Sequence, residues 1–149
     1  MPPHTAQPLA AALAAAFSSD HRLYHLQAEG ELAELMVEAW SLREELSQPW
    51  ELQLSTLSTR ANLDRDAMLG QRVTLLTTLA DGSRHSRSGI VTTAGIEDCN
   101  HELTRYCLTV QPWIALAACT RRSQAWEDET LIDIVESVFS LYAGHAAWT

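Results

Sequence analysis

Hydrophobic positions along this chain fall into short alternating runs separated by turn residues, the signature of antiparallel strands. Residues 23–28, 35–42 and 50–57 are strand-length pieces. In the third, Trp50, Leu52 and Leu54 alternate with Glu51, Gln53 and Ser55, so one face of that strand is predicted to be buried. Between the second and third, Arg43-Glu44-Glu45-Leu46-Ser47-Gln48-Pro49 is charged and ends in proline, which fits a hairpin return and not a central strand. Residues 62–70 predict one short helix, with Asp64 and Asp66 in its first turns and Gly70 in the left-handed position after its end. From 72 to 79, Val73, Leu75, Thr77 and Leu79 alternate with Thr74, Leu76 and Thr78. Asp81-Gly82 then supplies turn chemistry, and residues 87–96 resume as strand, completing a β-hairpin. A second turn at 98–101 leads to residues 102–111, where Tyr106, Leu108 and Val110 share one face and Arg105, Cys107 and Thr109 the other.

The period changes after Pro112-Trp113. Residues 114–118 fit a single helical turn and 121–126 a short extended piece. Thr130 and Asp133 have capping-box spacing, and Leu131, Ile134, Val135, Val138, Phe139 and Tyr142 recur at helical intervals, with Gly144 as a stop. The predicted fold class is therefore α+β, mainly antiparallel β: a small barrel or strongly bent sheet with a C-terminal amphipathic helix covering an open side. Residues 1–21, Ala-rich and punctuated by Pro2, Pro3 and Pro8, are expected to be a peripheral extension, with residues 22–149 forming the domain.

Composition narrows the function classes. The 149 residues amount to one domain, and the 46% hydrophobic content argues against a disordered chain. Ala and Leu contribute 21 residues each, however, against 11 for Ile and Val together, so strong packing material is moderate. A net charge of −9, with ten Arg and no Lys, argues against a nucleic-acid partner. No run approaches the roughly 18 apolar residues of a spanning helix, so membrane insertion by this segment is not expected. The apolar run at 9–17 has no Lys or Arg before it, which does not fit a signal peptide. Three cysteines at irregular spacing do not form a disulfide framework and favour a reducing compartment.

Strong catalytic motifs are absent: no phosphate-cradling glycine loop, no nucleophile elbow, no paired-Cys zinc arrangement. Cys99-Asn100-His101 could bring a thiolate near an imidazole, but a metal site needs further ligands and a nucleophile needs an orienting group and an oxyanion site. Glu127-Asp128-Glu129 lacks calcium-loop spacing and suits the positive end of a helix dipole. Arg84, Arg87, Arg121 and Arg122, with His85, could form a local basic patch; the favoured alternative is surface solubility or an edge-strand guard. Of the tryptophans Trp40, Trp50, Trp113, Trp126 and Trp148, most are expected in the core and one or two at a protein interface. No catalytic, cofactor-binding or metal residue is assigned, no cofactor is expected, and the chain is read as a non-enzyme.

The order of certain phrases is more specific than any one of them. Glu45-Leu46-Ser47-Gln48-Pro49-Trp50, Met68-Leu69-Gly70-Gln71-Arg72-Val73-Thr74-Leu75, Gly89-Ile90-Val91-Thr92, Tyr106-Cys107-Leu108-Thr109-Val110-Gln111-Pro112-Trp113 and Asp128-Glu129-Thr130-Leu131-Ile132-Asp133-Ile134-Val135 follow one another over residues 22–142. In this succession the chain resembles the N-terminal part of VgrG, the type VI secretion spike-hub family related to phage baseplate hubs and late-control D proteins. The resemblance implies a β-barrel-like hub domain assembling as a threefold ring that joins tail tube to spike. It implies tail-tube and baseplate partners, a cytoplasmic state before assembly, and, for a chain that is part of a full-length spike, secretion through the type VI apparatus without a signal peptide. The chain ends part way through the hub module the resemblance implies. A stand-alone truncated relative, acting as adaptor or inhibitor of hub subunits through a strand edge, is the alternative. One departure stands out: the family usually has an aromatic two residues before the Gly of Gly89-Ile90-Val91, and here that residue is Arg87.

Overall fold

In the computed structural model, which describes residues 23–99 and 102–145, six strands form one antiparallel sheet. They are β1 (Tyr24–Gln27), β2 (Met36–Arg43), β3 (Glu51–Ser58), β4 (Arg72–Thr78), β5 (Arg84–Cys99) and β6 (Thr104–Gln111), in the order β1-β4-β5-β6-β3-β2. The predicted strands are all present, with ends shifted by a residue or two except for β5, which starts three residues earlier and ends three later.

The length of β5 explains the bend. Arg84 to Ile90 pair with β4, and Ile90 to Cys99 pair with β6, so one strand serves two ladders. Register shifts between Val91 and Thr93 and between Ile96 and Asp98 add twist to the second ladder, and another between Val37 and Ala39 bends β2. The sheet consequently curls into a half-barrel. Its two outer strands come within reach of each other, the Tyr24 ring of β1 meeting the Trp40 ring of β2 edge-on at 6.1 Å.

The concave face carries the core: Leu26, Leu52, Leu54, Val73, Leu75, Val91, Tyr106, Leu108 and Val110 from the strands. Two connections fill the open side. A 3-10 turn at Gly30–Glu34 leads in with Leu32 and Leu35, and a single turn α1 (Arg65–Met68) follows Leu63 and buries Met68. The helix predicted over 62–70 is this one turn only. Asp64 is its N-cap, accepting from the Asp66 and Ala67 amides, and Leu69 is already extended, while Gly70 takes the expected positive φ of 76°. Tyr106 pins the second of these connections to the sheet from a fully buried position. Its hydroxyl donates to the Arg60 carbonyl at 2.9 Å and accepts from the Leu63 amide at 3.2 Å.

After β6, a 3-10 segment at Trp113–Cys119 replaces the predicted helical turn, residues 121–126 form no strand, and α2 (Leu131–Ser140) closes the described chain. The capping box is formed: the Thr130 hydroxyl accepts from the Asp133 amide while the Asp133 carboxylate accepts from the Thr130 amide and hydroxyl. Those hydrogen bonds favour the ionised form and hold the Asp133 carboxyl below its ordinary value. Thr130→Ala is expected to destabilise α2 by about 1 kcal/mol, seen as faster amide exchange in α2 with β3 and β6 unchanged.

The expected covering role of this helix is corrected. No residue of α2 is buried, and the core contains none of its side chains. It rests instead on Trp113, whose ring meets Phe139 edge-on at 4.9 Å and Tyr142 at 6.2 Å. The tryptophans are corrected too: none of the four described ones is fully buried. Trp50 packs on the core margin, Trp40 meets Tyr24 of β1 from an exposed position, and Trp113 seats α2. The expectations for residues 1–21, for His101 and for Trp148 lie outside the described residues.

Candidate functional site

The residues weighed for chemistry do not converge. Cys99 is exposed near the end of β5, its sulfur 3.3 Å from the Thr104 hydroxyl. Glu127, Asp128 and Glu129 are exposed at the entrance to α2. Among the described residues no three His, Cys, Asp or Glu side chains gather as a metal site would require. The four arginines divide: Arg84 and His85 lie at the Asp81-Gly82 hairpin end of β5, Arg87 turns inward, and Arg121 and Arg122 lie on the segment before α2.

One end of the half-barrel does bring sequence features together. Leu52 pairs with Val110, Ile90 with Gln111 and Arg72 with Ile90, so the start of β3, the end of β6, the start of β4 and the middle of β5 share that end. The first four of the five phrases that run in order along the chain meet there. Trp50 lies against Gly89, where an added Cβ would be 2.6 Å from the indole and 2.7 Å from both the Gln111 carbonyl and Val110. Gly70 donates to the Val91 carbonyl at 2.9 Å, and Trp113 carries α2. An Arg72 guanidinium bond to the His145 carbonyl, 2.9 Å, ties the chain beyond α2 to β4.

Arg87 resolves the departure noted in the sequence. It stands on the same face as Leu75 toward β4, and its guanidinium lies 5.3 Å from the centre of the Trp50 ring while donating to Glu44 at 2.9 Å. A cation over an indole thus replaces an aromatic contact and also anchors the loop between β2 and β3. That loop is further shaped by Arg43 donating to Glu45 at 2.7 Å and by Ser47 at φ 60°. At its tip Leu46 is 97% exposed.

On the convex face, Arg105 of β6 makes a two-point pair with Glu38 of β2, at 2.8 and 3.1 Å, across β3, whose Ser55 hydroxyl also donates to Glu38. The hydrogen bond from Arg105 holds the Glu38 carboxyl below its ordinary value, so this tie is complete above that value and weakens as pH falls through the lowered one. The pair belts three strands together. The end where the first four phrases meet presents a loop held by ion pairs, an exposed leucine and Trp113, on which a helix is seated; these are means of contact.

Residues 43–149 match the family of the phage tail baseplate hub (GPD). The chain belongs to this family. Among curated relatives of this baseplate hub chain, the type VI secretion system spike protein VgrG1b of Pseudomonas aeruginosa is 32% identical over 97 residues, 65% of this chain and 13% of its own length. VgrG1c of the same organism is 28% identical over 123 residues, 83% of this chain and 17% of its own length. The chain therefore spans less than a fifth of the length of these spike proteins. A solved structure, the E. coli c3393 protein, superposes with a TM-score of 0.64 at 20% identity, over 77% of this chain and 31% of that one. It is described as a type VI secretion component similar to the T4 tail proteins gp27 and gp5. At that identity the likeness establishes the fold: the half-barrel is the hub fold. No helix among the described residues is long and apolar enough to cross a membrane.

Proposed function

We propose that this chain is a structural part of the hub of a contractile injection apparatus, joining tail tube to spike by assembling as a homotrimer. The observation that carries the reading is the family match over residues 43–149, all five ordered phrases included. Residues 22–149 are the hub-like unit and residues 1–21 an extension. Its partners are copies of itself and the tube and baseplate proteins, with no nucleic acid and no membrane insertion. It resides in the cytoplasm before assembly and, as part of a full-length spike, leaves through the type VI apparatus without a signal peptide. It works by presenting surfaces, with no catalytic residue, cofactor or metal of its own.

Light scattering on the purified chain tests self-assembly. A particle near three times 16.5 kDa is expected, and a strict monomer at every concentration sinks assembly through this segment. The outer position of β2, with no strand paired beyond it among the described residues, favours a second reading, an adaptor that adds its edge to hub subunits. Capture of an intact VgrG trimer by the monomeric chain would select that reading.

A further inference from the structure

Packing divides the described chain into two parts. The half-barrel holds the whole core cluster, whereas α2 has no buried residue and no strand runs alongside it. The helix is attached through a seat of three aromatic rings, Phe139 meeting Trp113 edge-on at 4.9 Å and Tyr142 lying 6.2 Å from the same ring. Beyond its end the Arg72 guanidinium donates to the His145 carbonyl at 2.9 Å. Elsewhere contact is incomplete, since Ala117, Trp126, Val138 and Leu141 line an open groove of about 380 Å³ between the 3-10 segment and α2. Atoms that face a gap gain no dispersion energy across it. Charge does not supply what packing lacks: residues 123–145 contain five carboxylates and no Arg or Lys, in a chain of net charge −9.

The connection between the two parts has little to hold it. Residues 121–129 form no helix or strand, and all but the half-buried Trp126 are exposed. Among the described residues no backbone hydrogen bond ties this stretch to the sheet. Asp128 stands at φ 57°, a left-handed state that an L residue adopts at a cost and that a released connection is free to abandon. Off its seat, a helix of ten residues is marginal in water, so release and loss of helical order belong to one event. The half-barrel loses none of its core in that event, because no side chain of α2 belongs to it. Elements with few buried contacts open at a small fraction of the free energy of global unfolding.

We propose that residues 120–145 form a strap that leaves Trp113 as a unit while the half-barrel stays folded, hinged on residues 121–129 and latched by the aromatic seat and by Arg72. Release frees the Trp113 ring and the Arg72 side chain at the end where the first four phrases meet, which gives that end a covered and an uncovered state. Amide exchange of the full chain, followed by mass spectrometry from zero urea to just below the unfolding transition, is the test. Amides of α2 are expected to be at least about a hundredfold less protected than those of β3 and β6, with little dependence on urea, while β3 and β6 follow global unfolding. A common protection along α2 distinguishes release as a unit from fraying, which grades from the ends. Phe139→Ala removes a ring of the seat from the strap side and is expected to speed α2 exchange by about tenfold. Arg72→Met keeps the aliphatic stem and loses the donor, for an expected gain of about threefold. Neither variant should move the urea midpoint of the half-barrel. Exchange of α2 only through global unfolding, protection graded from its ends, or an α2 rate that Phe139→Ala leaves unchanged would each overturn the proposal.

Discussion

Replacing Tyr106 by alanine is expected to cost about 3–5 kcal/mol from the cavity alone, a large share of the stability of a domain this size. The side chain is fully buried in the core that it shares with Leu54 and Leu108 of the strands and Leu63 of the crossing connection. Its hydroxyl adds a second contribution. It satisfies the Arg60 carbonyl and the Leu63 amide, backbone groups of a connection that has no ladder to pair with. Tyr106→Phe keeps the ring and removes both bonds, for an expected loss of about 1–3 kcal/mol. Urea denaturation of the two variants separates the contributions. A Tyr106→Phe midpoint equal to that of the unmodified chain would show that the hydroxyl does not hold the connection. Because Tyr106 joins the sheet to residues 60–63, amide exchange in Tyr106→Phe should accelerate first in α1 and its flanks.

How far the sequence foretold this depends on which force shapes each element. The strands were legible where one face is buried, because Leu52 and Leu54, or Tyr106, Leu108 and Val110, alternate with polar neighbours. The early start of β5 was not, since Arg84, His85 and Ser86 are polar on both faces; their extended state comes from backbone pairing with Thr78, Thr77 and Leu76, which alternation does not record. The cap of α2 was legible because Thr130 and Asp133 act locally, whereas its packing was not. The same helical periodicity fits a face on the core and a face on Trp113, and the structure realises the second, leaving Leu131 and Ile132 largely exposed. The family phrases were visible as an order without a reason. For the first four, their meeting at one end of the half-barrel supplies it, yet nothing in Glu45-Leu46-Ser47 announces that the leucine is the residue left outside. Trp50 likewise seemed a core residue by chemistry, while the position of Arg87 opposite it could be known only once β3 and β5 were placed.

That junction gives the second large effect. Gly89→Ala is expected to destabilise the chain by about 1–3 kcal/mol, and Gly89→Val by more, because the new carbon has no free space. At Gly89 a Cβ would stand 2.7 Å from the Gln111 carbonyl, part of the ladder between β5 and β6, as well as 2.7 Å from Val110 and 2.6 Å from the Trp50 indole. The indole could swing away, but only by leaving the Arg87 guanidinium and loosening the loop that carries Leu46. Gly95→Ala is the control on the same strand. Its single close neighbour is the exposed Cys107 sulfur, at 2.9 Å, which can rotate, so a change within about 0.5 kcal/mol is expected. Thermal unfolding of both variants reads the contrast. Adding Trp50→Leu to Gly89→Ala should recover only part of the loss, since it frees the indole contact and leaves the carbonyl in place. Full recovery would place the whole conflict in the side chain and show that the backbone of β6 can yield.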